Sequence, residues 1–238
     1  MHTTVEHNDT PTILLVGASR GLGHAMAAEF LTRGWNVIGT VRGSAKTALH
    51  DLADQHEGRV EIAPLDITQA DQIDALRARL SGRNVDVLFV NAGTANAKPD
   101  ETIAQVSTEE FIRVMITNAL SPMRVVEGLQ DLVAADGLIG VMSSGQGSIS
   151  NNEKGGNEVY RGTKAALNMY MRSYAARNVN DPRALLLMAP GWIRTALGGP
   201  NATFSLEETV PKIVSTLLSY QAKPGLHYVD REGKTVPW

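Results

Sequence analysis

The chain has 238 residues and 25.6 kDa, with 43% hydrophobic and 20% charged residues, a composition that belongs to folded globular proteins and excludes disorder. Lys and Arg number 22 against 25 Asp and Glu, a formal charge of −3 with no block of one sign, so the basic patch of a nucleic-acid binder is missing. Cysteine is absent, which removes a disulfide framework, a thiolate metal site and a cysteine nucleophile and fits a reducing cytoplasm. No run approaches the ~20 apolar residues of a membrane span, and Met1 to Thr10 lacks the apolar core of a signal peptide. The expectation is a cytoplasmic protein with no nucleic-acid or membrane partner, folded as one domain over 1–238 with a flexible start at 1–10.

Apolar, β-rich runs alternate with longer helical patterns from start to finish, the sequence sign of βαβ units. Thr12 to Val16 reads as a buried strand and Gly21 to Arg33 as the helix after it. Trp35 to Val41 is the second strand, Ser44 to about Gln55 a helix, and Val60 to Ala63 a short third strand. A helix at Gln69 to Leu80 and a fourth strand at Val85 to Val90 follow. Ser107-Thr-Glu-Glu110 has the spacing of a capping box and opens a long helical pattern towards Ala134, in which Pro122 forces a kink or break. Leu138 to Met142 is a fifth strand, Glu158 to about Asn178 a helix, and Ala184 to Ala189 a sixth strand. A last helix at Leu206 to Tyr220 leads to a short strand at Leu226 to Val229. This pattern predicts an α/β chain: a single-domain, doubly wound Rossmann fold with a mostly parallel seven-stranded sheet and helices on both faces. In such sheets ligands bind outside the carboxyl ends of the strands, so the chemistry belongs to the loops there.

After the first strand comes Gly17-Ala-Ser19-Arg20-Gly21-Leu22-Gly23. Glycines let a backbone turn sharply and approach a pyrophosphate, whose charge sits against the free N–H groups of the helix that follows. The spacing is G-x-x-x-G-x-G rather than the general G-x-G-x-x-G fingerprint, and taken alone it also fits a tight strand-to-helix connection. An NAD site carries an acidic residue about 20 residues further on, at the end of the second strand. Here that end reads Gly39-Thr40-Val41-Arg42, without an acid. Arg42 offers a fork suited to a 2′-phosphate and Arg20 a second one, which implies NADP(H). The plainer reading leaves Arg42 as a solvated loop residue. Asp66 and Ile67 stand where a carboxylate and backbone meet an adenine, although Asp66 also suits the N-cap of the next helix. Asn91-Ala92-Gly93 ends the fourth strand with residues small enough for close passage of a cofactor, and equally with ordinary turn residues.

Tyr160 and Lys164 are four residues apart at the start of a helix and share one face. A phenol's reference pKa is about 10, and a neighbouring cation favours the phenolate, so Lys164 can tune Tyr160 as an acid–base group. Such a pair also does no more than cover a helix surface in many proteins. Ser143-Ser144 at the end of the fifth strand and Asn118 in the preceding long helix open onto the same crevice. A serine hydroxyl there can hold a substrate carbonyl while Tyr160 gives it a proton.

Taken together, Gly17-x-x-x-Gly21-x-Gly23, Asn91-Ala-Gly93, Asn118, Ser144, Tyr160-x-x-x-Lys164 and Pro190-Gly191-Trp-Ile193-Arg-Thr195 resemble the short-chain dehydrogenase/reductase family, in its order and over most of the chain. Tyr160 to Met169, Pro190 to Ala202 and the ending Pro237-Trp238 are most similar to the branch of sniffer-type carbonyl reductases and C-factor-like proteins. The resemblance implies a catalytic tetrad of Asn118, Ser144, Tyr160 and Lys164. In it Tyr160 is general acid in reduction and base in oxidation, Ser144 orients the carbonyl, Lys164 contacts the nicotinamide ribose, and Asn118 supports a water-linked proton path. It also implies nicotinamide and phosphate contacts from Pro190, Gly191, Ile193 and Thr195, a small carbonyl or alcohol substrate, and a homodimer or homotetramer built on 119–132 and 165–174. The function it implies is an NADP(H)-dependent carbonyl reductase or alcohol dehydrogenase; the alternative is a nucleotide-binding signalling or redox-sensing protein with little turnover.

Three departures from the family pattern stand out. Val16 and Val90 replace a usual Thr and Asn, and Ser144 lies 16 residues before Tyr160, a wider gap than usual. The extra stretch, Gly145 to Asn157, reads as a substrate rim or as a mobile surface excursion. The six histidines, at 2, 7, 24, 50, 56 and 227, lack any metal-ligand spacing. Asn8-Asp-Thr10 and Asn201-Ala-Thr203 are chance glycosylation sequons in this context. Phe204 is either part of a lid or helix packing, and Pro237-Trp238 either closes the pocket or docks on a neighbour.

Overall fold

The computed structural model describes residues 10–238. Residues 1–9 of the expected flexible start, with His2, His7 and Asn8, lie outside them.

Seven strands form one sheet in the order β3-β2-β1-β4-β5-β6-β7, every neighbouring pair parallel. The strands are β1 (Thr12–Val16), β2 (Asn36–Val41), β3 (Val60–Pro64), β4 (Val85–Val90), β5 (Val133–Met142), β6 (Ala184–Ala189) and β7 (Gly225–Asp230). The helices are α1 (Gly21–Thr32), α2 (Ala48–Gln55), α3 (Ala70–Arg79), α4 (Thr108–Met115), α5 (Ser121–Leu129), α6 (Glu158–Arg177) and α7 (Leu206–Tyr220). A sheet covered on both faces has strands that are apolar on both sides, which is why the strands read as runs rather than as alternations. Leu14 and Val16 join Ile73, Val125, Leu167 and Met171 in one buried cluster; Ile13 and Leu15 join Met26, Phe30, Leu49 and Ile213 in the other. Helices α3, α5 and α6 therefore cover one face, and α1, α2 and α7 the other.

Most expected elements lie within two residues of their observed bounds; two do not. The second helix begins at Ala48 rather than Ser44, because Thr47 donates its backbone N–H to His50 Nδ1 at 3.0 Å and so fixes the start there. A Thr-to-His cap carries none of the Ser/Thr-to-Glu signature that marks a start in sequence. The fifth strand begins at Val133 rather than Leu138. Val133 pairs with Val85 and Leu138 with Val87, so 134–137, with its polar Asp136 and a Gly137 pressed on the Asp86 carbonyl, bulges out of the ladder and hides the strand's start.

The long pattern opened by Ser107 is interrupted as expected, and it stops at Leu132 instead of Ala134. Ser107 accepts from the Glu110 N–H and caps α4. A wide π turn at Ile116–Leu120 then separates α4 from α5, with Pro122 in the first turn of α5, where its missing N–H leaves no helical bond broken within α5.

Phe89, fully buried on β4, fills the space over Gly140 of β5, where a Cβ would approach its ring to 2.6 Å. Phe89→Ala is expected to lower the unfolding free energy by about 3–5 kcal/mol at an unchanged urea m-value, read by denaturant titration.

Candidate active site

The carboxyl ends of β1, β4, β5 and β6 converge on one crevice, at the seam where the strand order reverses between β1 and β4. On its nucleotide side, Gly17 has φ +88° and lies against β4: a Cβ there would be 2.9 Å from Ala92. Asn91 Nδ2 donates to the Gly17 carbonyl at 2.8 Å, and a Cβ on Gly23 would lie 2.0 Å from that same oxygen. The Gly17 N–H donates to the Thr40 hydroxyl of β2 at 2.9 Å. Thr40 is a residue the sequence does not single out, because its role depends on β1 and β2 lying side by side. Val16 contributes its backbone carbonyl to the N–H groups of Asn91 and Ala92, so its side chain is free to be core.

Gly17, Ser19, Thr40, Arg42, Leu65, Ile67 and Ala92 line a narrow cleft, and Ser19, Arg20, Arg42, Thr47 and Ala48 line the wider opening beside it. The first has apolar walls for a base and the second has two exposed arginines at its mouth. Asp66 does not cap α3, whose N-cap position is Gln69. Its carboxylate instead accepts from the Thr68 N–H at 2.9 Å and hydroxyl at 2.8 Å. Burial raises its pKa, but those bonds and the charge of Arg42 outweigh burial and hold the carboxyl below its usual range. The donors, the two guanidinium groups and the space cleared by glycine fit a dinucleotide carrying an extra phosphate.

The loop after β6 closes the other side. Gly191 has φ +91°, and a Cβ on Gly198 would lie 2.0 Å from the Ile193 carbonyl, so this loop doubles back tightly. Thr195 Oγ1 accepts from the Gly198 N–H at 3.1 Å and its side chain faces Gly21 at 4.0 Å from where a Cβ would be. The turn at Pro190 to Thr195 thereby meets the glycine loop. Phe204 pairs with Ile193 in a short bridge, and its ring lies 3.8 Å under the Arg231 guanidinium, which makes it packing behind Gly191.

Ser144, Tyr160, Lys164 and Asn118 come together at the end of this crevice. The Ser144 side chain lies beside the Tyr160 phenol, and its Oγ accepts the Gln146 N–H at 3.1 Å. Lys164 is buried, and its Nζ lies 5.7 Å from the centre of the Tyr160 ring and donates to the Met142 carbonyl at 2.8 Å. Asn118 holds Thr94 by both backbone groups, accepting its N–H and donating to its carbonyl at 2.8 Å each, and donates to Thr163 Oγ1 at 3.0 Å. Gly93 lies between them: a Cβ there would sit 3.4 Å from Asn118 Oδ1 and 3.5 Å from Lys164 Nζ. Thr94 and Thr163 are further residues that no local motif marks.

The expected influence of Lys164 on Tyr160 is not what dominates this arrangement. Burial pushes the phenol up, and the Ser144 side chain is the group that pulls it back. Lys164 is itself brought down to about 8 by burial. After Ser144, Gly145–Gly147 forms a short 3-10 turn, Ser148 is buried, and Asn157 adopts a left-handed conformation (φ 49°) to start α6. Trp238 docks on its own chain, against Tyr228 and Arg172. Among the described residues no cluster of His, Cys, Asp or Glu can hold a metal, and no helix is long and apolar enough to cross a membrane.

This is the site of a nucleotide-dependent α/β oxidoreductase, and comparison with known proteins gives the family. The profile described as short chain dehydrogenase matches residues 11–204. A Burkholderia multivorans protein assigned to the short-chain dehydrogenases/reductases and crystallised with NADP is 62% identical, with a TM-score of 0.96 over 97% of this chain and 100% of that one. A carbonyl reductase from Pseudomonas aeruginosa in complex with NADP is 32% identical, with a TM-score of 0.88 over 97% and 100%. The C-signal protein of Myxococcus xanthus is 31% identical over 156 residues, 65% of this chain and 93% of that protein. The chain belongs to the short-chain dehydrogenase family.

A lysine with a depressed pKa binds fewer protons folded than unfolded, so stability rises with pH between about 8 and the ordinary 10.5. The stability of Lys164→Met relative to the parent chain, measured by urea titration, is therefore expected to be greatest below pH 8 and to shrink by roughly 3 kcal/mol above pH 10.5.

Proposed function

We propose that this protein is an NADP(H)-dependent oxidoreductase of the carbonyl reductase type, interconverting a carbonyl and an alcohol. The observation that carries the reading is that Ser144, Tyr160 and Lys164 meet beyond the carboxyl end of β5, while Arg20 and Arg42 line an opening beyond the ends of β1 and β2 on the same edge of the sheet. Relatives with NADP bound, at 62% and 32% identity, support the same cofactor.

Gly17, Ser19, Gly21, Leu22 and Gly23 hold the pyrophosphate at the N-terminus of α1, where free N–H groups and the helix dipole favour negative charge. Arg42, helped by Arg20, binds the 2′-phosphate; Asp66, Ile67 and Ala92 flank the adenine and its ribose. Pro190, Gly191, Ile193 and Thr195 hold the nicotinamide end. When bound, NADP(H) supplies or accepts the hydride. Tyr160 donates the proton to the carbonyl oxygen in reduction and takes it back in oxidation, while the Ser144 hydroxyl holds the same oxygen in line. Lys164, close to its own pKa at neutral pH, contacts the ribose and exchanges protons with the phenol. Asn118 holds the Thr94 backbone by two hydrogen bonds, and Pro122 has no N–H to place on the Asn118 carbonyl, which supports a water-linked path there. A protein that only sensed the nucleotide would have no use for a buried lysine beside a phenol flanked by serine. Exposed Ile112, Leu120, Met169 and Tyr170 on and between α4, α5 and α6 support assembly as a homodimer or homotetramer through those helices.

Tyr160→Phe is expected to lower kcat by roughly 10²–10⁴-fold and leave NADPH affinity unchanged. Retained turnover, measured by loss of nicotinamide absorbance, would contradict this mechanism. Arg42→Asp is expected to shift preference towards NADH by removing the partner of the 2′-phosphate and placing a like charge beside it. An unchanged ratio of NADPH to NADH affinity in a fluorescence titration removes Arg42 from cofactor choice.

A further inference from the structure

A second tyrosine that this chemistry does not use stands directly behind the catalytic serine. Tyr228 on β7 is 2% exposed, and its hydroxyl donates to the backbone carbonyl of Ser144 at 2.5 Å. A buried phenol needs a partner, and a strand residue packed on α6 has many carbonyls to choose from. The one it takes belongs to the residue whose side chain meets Tyr160.

The Tyr228 hydroxyl is part of a small polar cluster. The side chains of Asn168 and Ser143 lie beside it and partly offset the upward push of burial on its pKa. Ser143 Oγ donates to Asn168 Oδ1 at 2.5 Å, and Asn168 Nδ2 donates to the Gly147 carbonyl at 3.2 Å. A Cβ on Gly147 would come within 2.9 Å of Lys164 Cβ, so the turn is also pressed onto α6. The strand end 143–147 is thus held by α6 and by β7 together.

Tyr228 is fixed in its turn by the last residues of the chain. Its ring packs on Trp238 with centroids 5.3 Å apart, and the Arg172 guanidinium covers the Trp238 ring at 4.8 Å. The Val236 N–H donates to the Tyr228 carbonyl at 2.8 Å. The Trp238 carbonyl accepts the Ser150 N–H at 2.9 Å and the Ser150 hydroxyl at 2.6 Å, which ties this segment to the stretch beyond Ser144.

We propose that Tyr228 is a positioning residue for the reaction: its hydroxyl holds the Ser144 carbonyl, and with it the Ser144 side chain, in line with Tyr160, while Trp238 keeps the Tyr228 ring in place. A peptide plane is rigid, so anchoring the carbonyl oxygen fixes the orientation of the Cα that carries the reacting hydroxyl. The inference rests on Ser144 acting on the substrate oxygen as proposed above.

Tyr228→Phe removes the hydroxyl alone. In single turnovers with prebound NADPH the rate is expected to fall about 10- to 100-fold, with KM for the carbonyl and NADPH affinity unchanged. In a Ser144→Ala background the same change is expected to cost less than about twofold, because the group it positions is gone. An equal loss in both backgrounds, or a lowered melting temperature with the full rate retained, overturns the proposal. Trp238→Ala, which keeps the Tyr228 hydroxyl, is expected to give a smaller loss with the same dependence on Ser144, and a loss independent of Ser144 counts against it. If Ser144→Ala itself turns over as fast as the parent, the reading of Ser144 fails instead, and the two failures are told apart.

Discussion

Between Gly17 and Ala92 there is no room for a side chain, and the crevice follows from that contact. The Gly17 carbonyl receives Asn91 Nδ2, and the same oxygen lies where a Cβ on Gly23 would have to be. The turn out of β1 is therefore locked to the end of β4, at the one place in the sheet where chain connections leave in opposite directions. That lock points the first turn of α1 into the opening and sets Gly93 between Asn118 and Lys164. Nucleotide side and reacting side thus share one rigid piece of backbone.

The reacting side holds groups that water would solvate better. Lys164 is buried against a carbonyl dipole, and Tyr160 is raised by desolvation and eased by Ser144. Such an arrangement costs stability in the free protein. In the proposed mechanism it also fixes dipoles and a titratable cation around the point where charge develops on a substrate oxygen, so little reorganisation is left for the reaction itself. The π turn at Asn118 belongs to the same economy: a regular helix would direct that side chain differently, and the proline that follows makes regularity harder.

The parallel sheet was legible because strands covered on both faces appear as unbroken apolar runs, and the helices between them have the right lengths. Gly17, Tyr160 and Lys164 could be placed for the same reason, since each belongs to a local pattern of a few residues. What escaped depends on contacts distant in sequence. Thr40 meets Gly17 only once β1 and β2 pair, Thr94 meets Asn118 only once the π turn packs beside the end of β4, Thr163 meets it only once α6 packs, and Tyr228 meets Ser144 across 84 positions. The start of β5 was hidden by a bulge rich in polar and small residues, and the start of α2 by a cap that uses histidine as acceptor. For Asp66 a helix cap stood as the alternative to the adenine reading, because a carboxylate ahead of a helix reads alike whether it bonds Thr68 or the helix end.

The most direct test of the account is titration of the purified protein with NADPH and with NADH, followed by nicotinamide absorbance against a panel of aldehydes, ketones and quinones. The account predicts that NADPH binds at least about tenfold more tightly, as a phosphate paired with arginine requires, and that bound NADPH is oxidised by a carbonyl in the panel. Equal affinity for the two nucleotides, or tight NADPH binding with no oxidation by any carbonyl, would contradict it.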